Sequence, residues 1–376
     1  MAAPPALVPE SGRDIRLDLF RGLALWFIFL DHIPVNVVSW LTVRNYGFSD
    51  ATEIFVYISG YTAVIAYARM LARSGWLRTA ARVWRRVWQL YVAHILLFVA
   101  FSAQIAFVSI ARNAPDLIEE MALLGLGENP YRAILEAALL RFRPVNLDVL
   151  PLYILLLAAF PFVLPVLLRR PWGPWLVLGA SLALYAATCR LDWNLPAYPE
   201  NKVWFFNPLA WQLVFHLGAA MAVLAPELRR LDRWRWPISL AAALFLAFAA
   251  FIALSWHYNP LERLVPAWVG RVLYPIDKTN VDLLRIGHFL ALAWLVRLAV
   301  PADAPFLRWR LWLPLRWCGE QSLLVFCLGT FLALSGQVIV ASLEESLLSQ
   351  IVVSLAGLAL MVAAAALARW FKRSVA

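Results

Sequence analysis

The chain has 376 residues, of which 63% are hydrophobic and 15% charged, with a mean hydropathy of +0.72. A water-soluble domain carries about 25% charged residues, so a soluble globular class is excluded and burial in a lipid bilayer is expected. The net charge of +10 would suit a nucleic-acid binder if it lay on soluble elements. Here the basic residues cluster in short segments between apolar runs, the pattern that orients helices in a membrane, and no nucleic acid is expected as a partner.

Residues 1–16 are polar and proline-bearing and read as a cytoplasmic N-terminal segment. No small-residue cleavage site follows the first apolar run, so that run is expected to stay as a span. A helical span needs about 20 mostly apolar residues. On that measure the predicted spans are 17–36, 51–71, 88–110, 147–168, 174–190, 208–226, 237–256, 282–301, 319–342 and 349–369. The fold expected is all-α, a polytopic transmembrane helical bundle of about ten spans, treated as a single domain over 17–370 with a cytoplasmic tail at 371–376. No internal repeat stands out.

Placing both termini in the cytoplasm puts Arg13, Arg16, Arg73, Arg78, Arg82, Arg85, Arg86, Arg229, Arg230, Arg308, Arg310, Lys372 and Arg373 in inner segments. Most acids, among them Asp50, Glu53, Asp116, Glu136, Glu200 and Asp277, then fall outside, as the positive-inside rule requires. The longest outer loops, near 111–146, 191–207 and 257–281, hold Trp193, Tyr198, Trp204, Tyr258, Trp268 and Tyr274. These rings read either as an interfacial belt or as stacking surfaces for sugars.

Ionisable groups at membrane depth are costly and mark a functional site or a buried pair. The first span is richest, with Asp18, Arg21, Asp31 and His32. Arg21 and His32 are eleven residues apart, which returns nearly to the same helix face about 16 Å further along. Asp18 can pair with Arg21 at three residues' spacing, and Pro34 breaks the helix just after His32. Taken singly, Arg21 reads as an orienting anchor and His32 as a core histidine. Together they suggest a site in which imidazole takes a proton from a hydroxyl near neutral pH. Asp31 is a candidate to orient it, or to pair elsewhere.

Arg21-x10-His32, within LDLFRGLALWFIFLDHIP, resembles the motif of the acyltransferase-3 class of membrane acyltransferases. More closely, residues 16–61 are similar to the OpgC family, which modifies osmoregulated periplasmic glucans. RRVWQLYVAH, LDVLPLYILLL, FNPLAWQLVFHLGA, DKTN and CGEQSLLVFCLG extend the likeness over most of 13–330. Glu320 stands where that family often has Arg. The resemblance implies an acyltransferase in the bacterial inner membrane. It would pass an acyl group, succinyl in that family, from cytoplasmic succinyl-CoA to a hydroxyl of a periplasmic glucan, with no permanently bound cofactor. It also implies a catalytic His32 and an essential Arg21, and it makes Arg82 and Arg85 the counterpart of the class's Arg-x-x-Arg pair.

Guanidinium groups bind phosphate strongly, so Arg82, Arg85 and Arg86 are expected to hold the CoA phosphates, although an inner loop serving only orientation would look the same. Asp50, Glu53, Asp148 and Lys278 are candidate substrate-binding residues on the outer side. Arg44 or Lys278 could meet the second carboxylate of succinate. Lys278 also reads as an ion pair with Asp277, and His94, His216 and His288 as buried, satisfied histidines. Ser59 and Gly60 read as helix-packing residues, and Glu320, Gln321 and Ser322 as the start of the ninth span. The three cysteines show no metal spacing, no metal site is expected, and there is no P-loop, GxSxG or HExxH. Acetyl or other acyl transfer to another polysaccharide or lipid stays open, as do a transporter without acyl transfer, which should show inverted repeats, and a homodimer.

Overall fold

The structure, a computed structural model, describes residues 14–374. Arg13, and residues 375 and 376 of the expected tail, lie outside the described residues. Within them the chain is helical, with one isolated bridge between Pro196 and Val203. The helices in chain order are α1 (Ile15–Asp31), α2 (Ala51–Arg112), α3 (Asp116–Glu120), α4 (Leu124–Glu128), α5 (Pro130–Ala138), α6 (Val149–Leu167), α7 (Gly173–Leu191) and α8 (Pro208–Leu228). They continue as α9 (Arg235–Ser255), α10 (Asn259–Glu262), α11 (Ala267–Leu273), α12 (Leu283–Ala299), α13 (Leu313–Glu320), α14 (Ser322–Ser342) and α15 (Leu347–Ser374).

Six helical stretches among the described residues are long and apolar enough to cross a membrane: Ala51–Arg112, Val149–Leu167, Gly173–Leu191, Pro208–Ser255, Ser322–Ser342 and Leu347–Ser374. Two of them are far longer than one crossing needs. α2 runs for 62 residues and leaves helical geometry at Gly75, whose φ of +76° costs a glycine little. The stretch Pro208–Ser255 holds α8 and α9, joined by a 3-10 turn at Arg229–Trp234. α1 and α12 have 17 residues each, short of the usual 20. Large apolar side chains stand exposed along these helices, including Phe107 and Ile110 on α2 and Leu355, Leu360 and Leu367 on α15. Such a surface suits lipid and would be unfavourable in water.

The chain forms two compact units, with boundaries inside α2 and α8. One comprises Gly60–Val223; the other comprises the described residues up to Ser59 together with those from Leu224 onward. In the second unit α1 packs on α13, α14 and α15, and α12 packs on α9. The α1–α13 approach is backbone to backbone. A Cβ on Gly22 would lie 1.9 Å from the Leu315 carbonyl oxygen, and one on Gly319 would lie 1.8 Å from that of Asp18. In the first unit Gly60 meets the Phe215 carbonyl in the same way, at 1.9 Å for an added Cβ, which is the packing role its sequence suggests. There the Trp76 and Trp84 indoles donate to the Pro161 and Ala158 carbonyls at 2.8 and 3.1 Å, tying α2 to α6.

The ninth span begins later than expected. Glu320 closes α13, and α14 starts at Ser322 after a break at Gln321. Glu320 is the salt-bridge partner of Arg369 on α15, at 3.5 Å, rather than the acid at a helix start.

Candidate functional site

The second unit gathers polar groups where α1 ends and where α2 and α12 begin. α1 stops at His32, whose N–H reaches the Phe29 carbonyl at 3.3 Å. Pro34 cannot continue the helix. The His32 ring is half-buried, with Nδ1 at 2.5 Å from the Ile28 carbonyl oxygen. A carbonyl only accepts, so Nδ1 carries the hydrogen and Nε2 presents the lone pair. The loop that follows is pinned. The Asn36 amide donates to the Leu30 carbonyl at 3.2 Å, the Ser354 hydroxyl donates to Asn36 Oδ1 at 3.1 Å, and Val37 N–H donates to Gln350 Oε1 at 2.8 Å.

Asp31 does not orient the imidazole through a hydrogen bond. Its carboxylate accepts from the Thr42 hydroxyl at 2.7 Å, and its carbonyl accepts from the Arg44 guanidinium at 3.0 Å. Adjacent helix residues point apart, so Asp31 braces the 32–50 loop on one side while His32 faces another.

Asp50 and Glu53 form a capping box at the start of α2. Asp50 Oδ1 accepts from Thr52 N–H at 2.8 Å, and Glu53 Oε2 accepts from Asp50 N–H at 2.9 Å, which satisfies two otherwise orphaned donors. The same carboxylates face two cations. Lys278 Nζ donates to Asp50 Oδ2 at 2.6 Å, while Arg285 donates to Asp50 Oδ2 at 3.1 Å and through Nε to Glu53 Oε1 at 2.8 Å. Glu53 is wholly buried, and Lys278 is about a third exposed. Burial pushes the Asp50 carboxyl up, but Lys278 and Arg285 outweigh it and hold the group below the usual carboxylate range. Alongside, the Ser49 hydroxyl and His288 Nδ1 are 2.7 Å apart, and Gly47 leaves room for that ring: an added Cβ would lie 1.9 Å from Nε2. His32 lies within electrostatic reach of Lys278, Asp50 and Arg44.

Of the residues singled out from sequence, His32, Asp31, Asp50, Glu53 and Lys278 thus share one neighbourhood. Arg21 is half-buried, three turns earlier on α1. Arg82, Arg85 and Arg86 belong to the first unit. Arg82 and Arg85 are exposed one turn apart on α2, and Arg86 donates to Gln89 Oε1 at 3.2 Å. Asp148, also in the first unit, accepts from Arg143 Nε at 2.8 Å, and that guanidinium lies over the Trp204 ring at 4.0 Å.

Two sequence readings need correction. Lys278 bridges to Asp50, 228 residues away, while Asp277 accepts from the N–H groups of Thr279 and Asn280 in its own turn, at 2.7 and 3.1 Å. His216 and His288 are satisfied, by Ser181 and Gln212 at 2.7 and 2.9 Å and by Ser49. His94 is not: it is fully buried, and neither ring nitrogen has a hydrogen-bond partner among the described residues. The charged group nearest in effect is Arg143, which offers only donors and is already bound to Asp148. Arg285 and Arg143 were missed altogether. Arg285 interrupts an apolar run three residues after Asp282, the depth signal that should have flagged it.

The described residues hold no cluster of His, Cys, Asp and Glu able to bind a metal. No curated protein and no solved structure matches the chain. A family model described as OpgC protein matches residues 13–373. That match takes in both compact units and every group described above, and the chain is therefore a membrane protein of the OpgC family.

Proposed function

We propose that this OpgC-family protein is a membrane O-acyltransferase that moves a succinyl group from cytoplasmic succinyl-CoA to hydroxyls of a periplasmic glucan, in a bacterial inner membrane. The observation that carries the reading is His32, with Nδ1 committed to a main-chain carbonyl, Nε2 left basic, and the Asp50–Lys278 pair and Arg44 within electrostatic reach. A fixed tautomer with one basic nitrogen is what a general base requires.

In the step proposed, Nε2 accepts the proton of a sugar hydroxyl as its oxygen attacks the thioester carbonyl. The carbon–sulfur bond then breaks, the imidazolium returns its proton to the departing sulfur, and the products are a sugar ester and free CoA. A covalent acyl-histidine would divide this into two transfers and give ping-pong kinetics. Arg82 and Arg85, exposed on the first unit, are the candidates for the CoA phosphates, with Arg86 beside them. Ten crossings with both termini inside also belong to this reading. They follow if α2 and Pro208–Ser255 each cross twice and the shorter α1 and α12 cross as well.

The test is release of free CoA by purified protein given succinyl-CoA and glucan, with mass spectrometry of the glucan. His32→Ala should lower transfer by about a hundred- to ten-thousandfold, the range lost when general-base catalysis goes, with the protein still folded and inserted. Unchanged turnover in that variant would end the reading. Silence with every acyl-CoA offered would favour transport instead.

A further inference from the structure

Three cations approach the His32 neighbourhood in the second unit, and they are not equivalent. Arg285 is held between Asp50 and Glu53, and Lys278 is held by Asp50. These two positive charges meet two carboxylates and leave no cation to offer. Arg44 is different. It is exposed, and among the described residues its one hydrogen bond is to the main-chain carbonyl of Asp31 and it forms no salt bridge, its charge acting on the Asp31 carboxylate only through space. The neighbouring Asp31 carboxylate is turned toward the Thr42 hydroxyl instead.

From this contrast we infer that Arg44 is a specificity-determining residue, which selects acyl donors carrying a second, terminal carboxylate over neutral acyl chains of the same length. The inference rests on the acyl-transfer reading above and adds to it the residue that reads the acyl group, with Lys278 excluded because Asp50 already occupies it.

The loop supports this role by holding the residue in place. Thr42 is tied to Asp31, Asn45 Nδ2 donates to the Ser39 carbonyl at 2.8 Å, and the Tyr46 hydroxyl donates to the Trp40 carbonyl at 2.8 Å. Arg44 therefore sits on a braced 3-10 turn (Val43–Tyr46), anchored to the residue directly before His32. A guanidinium with one N–H engaged keeps four more donors in a planar fork, which matches a carboxylate in bidentate fashion.

The experiment compares succinyl-CoA with butyryl-CoA, which share a four-carbon acyl chain and differ in the terminal group. The readout is the ratio of kcat/KM for the two donors, in purified protein whose folded state is checked by size exclusion. The wild type should prefer succinyl-CoA. Arg44→Gln should shrink the ratio by roughly tenfold or more, as expected for loss of one charge-assisted hydrogen bond. Arg44→Lys should restore part of it, and Lys278→Met should keep the ratio near the wild-type value. A wild-type-like ratio in Arg44→Gln would overturn the inference while leaving acyl transfer intact. A wild type that turns over neither thioester would defeat the acyl-transfer reading itself, and this inference with it.

Discussion

Each compact unit buries an arginine against a carboxylate, and the two do so differently. In the second unit Arg285 serves Asp50 and Glu53 together, Lys278 adds a second cation to Asp50, and the carboxylates also cap α2. In the first unit Arg143 serves Asp148 alone, is covered by Trp204, and exerts its charge on His94, which has no hydrogen-bond partner. The first arrangement is a closed network in which each charge answers another, and it stands beside His32. The second is a single pair with an orphan. A fully satisfied buried network fixes geometry, whereas an unsatisfied polar group costs stability without fixing anything. The difference argues that the Asp50–Glu53–Lys278–Arg285 group is a scaffold for the neighbouring imidazole and that the Arg143 group mainly orders its own loop.

Substitutions can break or sharpen that contrast. Arg285→Met would have the largest effect, because it strands the wholly buried Glu53 carboxylate and leaves Asp50 with Lys278 alone. A loss of about 3–5 kcal/mol is expected, as when a buried pair loses one partner, read as a fall in the thermal midpoint in detergent. A change under about 1 kcal/mol would mean that water already solvates the cluster. Arg143→Met strands only Asp148, and the loss should be smaller, about 1.5–3 kcal/mol, the worth of a hydrogen bond to a charged group. If it matched or exceeded Arg285→Met, the ranking of the two clusters would be reversed. His94→Leu should have the least effect and the opposite sign. Removing two unsatisfied nitrogens should leave the midpoint unchanged or raise stability, by at most about 1–3 kcal/mol. A clear destabilisation would show that the imidazole has a bound partner, such as water or substrate.

The linear pattern was a good guide where the physics is local. Apolar runs of about 20 residues place several helices within a few residues, since hydrophobicity over that length is itself the requirement for a span, although 51–71 and 88–110 proved to be parts of the one long α2 and 17–36 overran the end of α1. The predicted 208–226 and 237–256 became α8 and α9, and 349–369 lies inside α15. Pro34 marked the end of α1, and the close approach at Gly60 was legible from a small residue in mid-helix. The first fifty-odd residues also carried His32, Asp31, Asp50 and Glu53 into one short stretch, so much of their neighbourhood follows from connectivity.

What the sequence by itself determined, then, was an all-helical membrane protein of this family, the course of several of its long apolar helices, and the turn that ends α1 at His32. Those depend on residues within a few turns of each other. Only the tertiary structure decided which charges meet. Lys278 joined Asp50 rather than being left to the adjacent Asp277, Arg285 reached Glu53 across 232 residues, Glu320 went to Arg369, and Arg44 formed no salt bridge among the described residues. No local period encodes such pairings. They are set by how α1, the first turn of α2, α12 and α15 pack within the second unit, and burial then makes each charge take whichever partner is in reach.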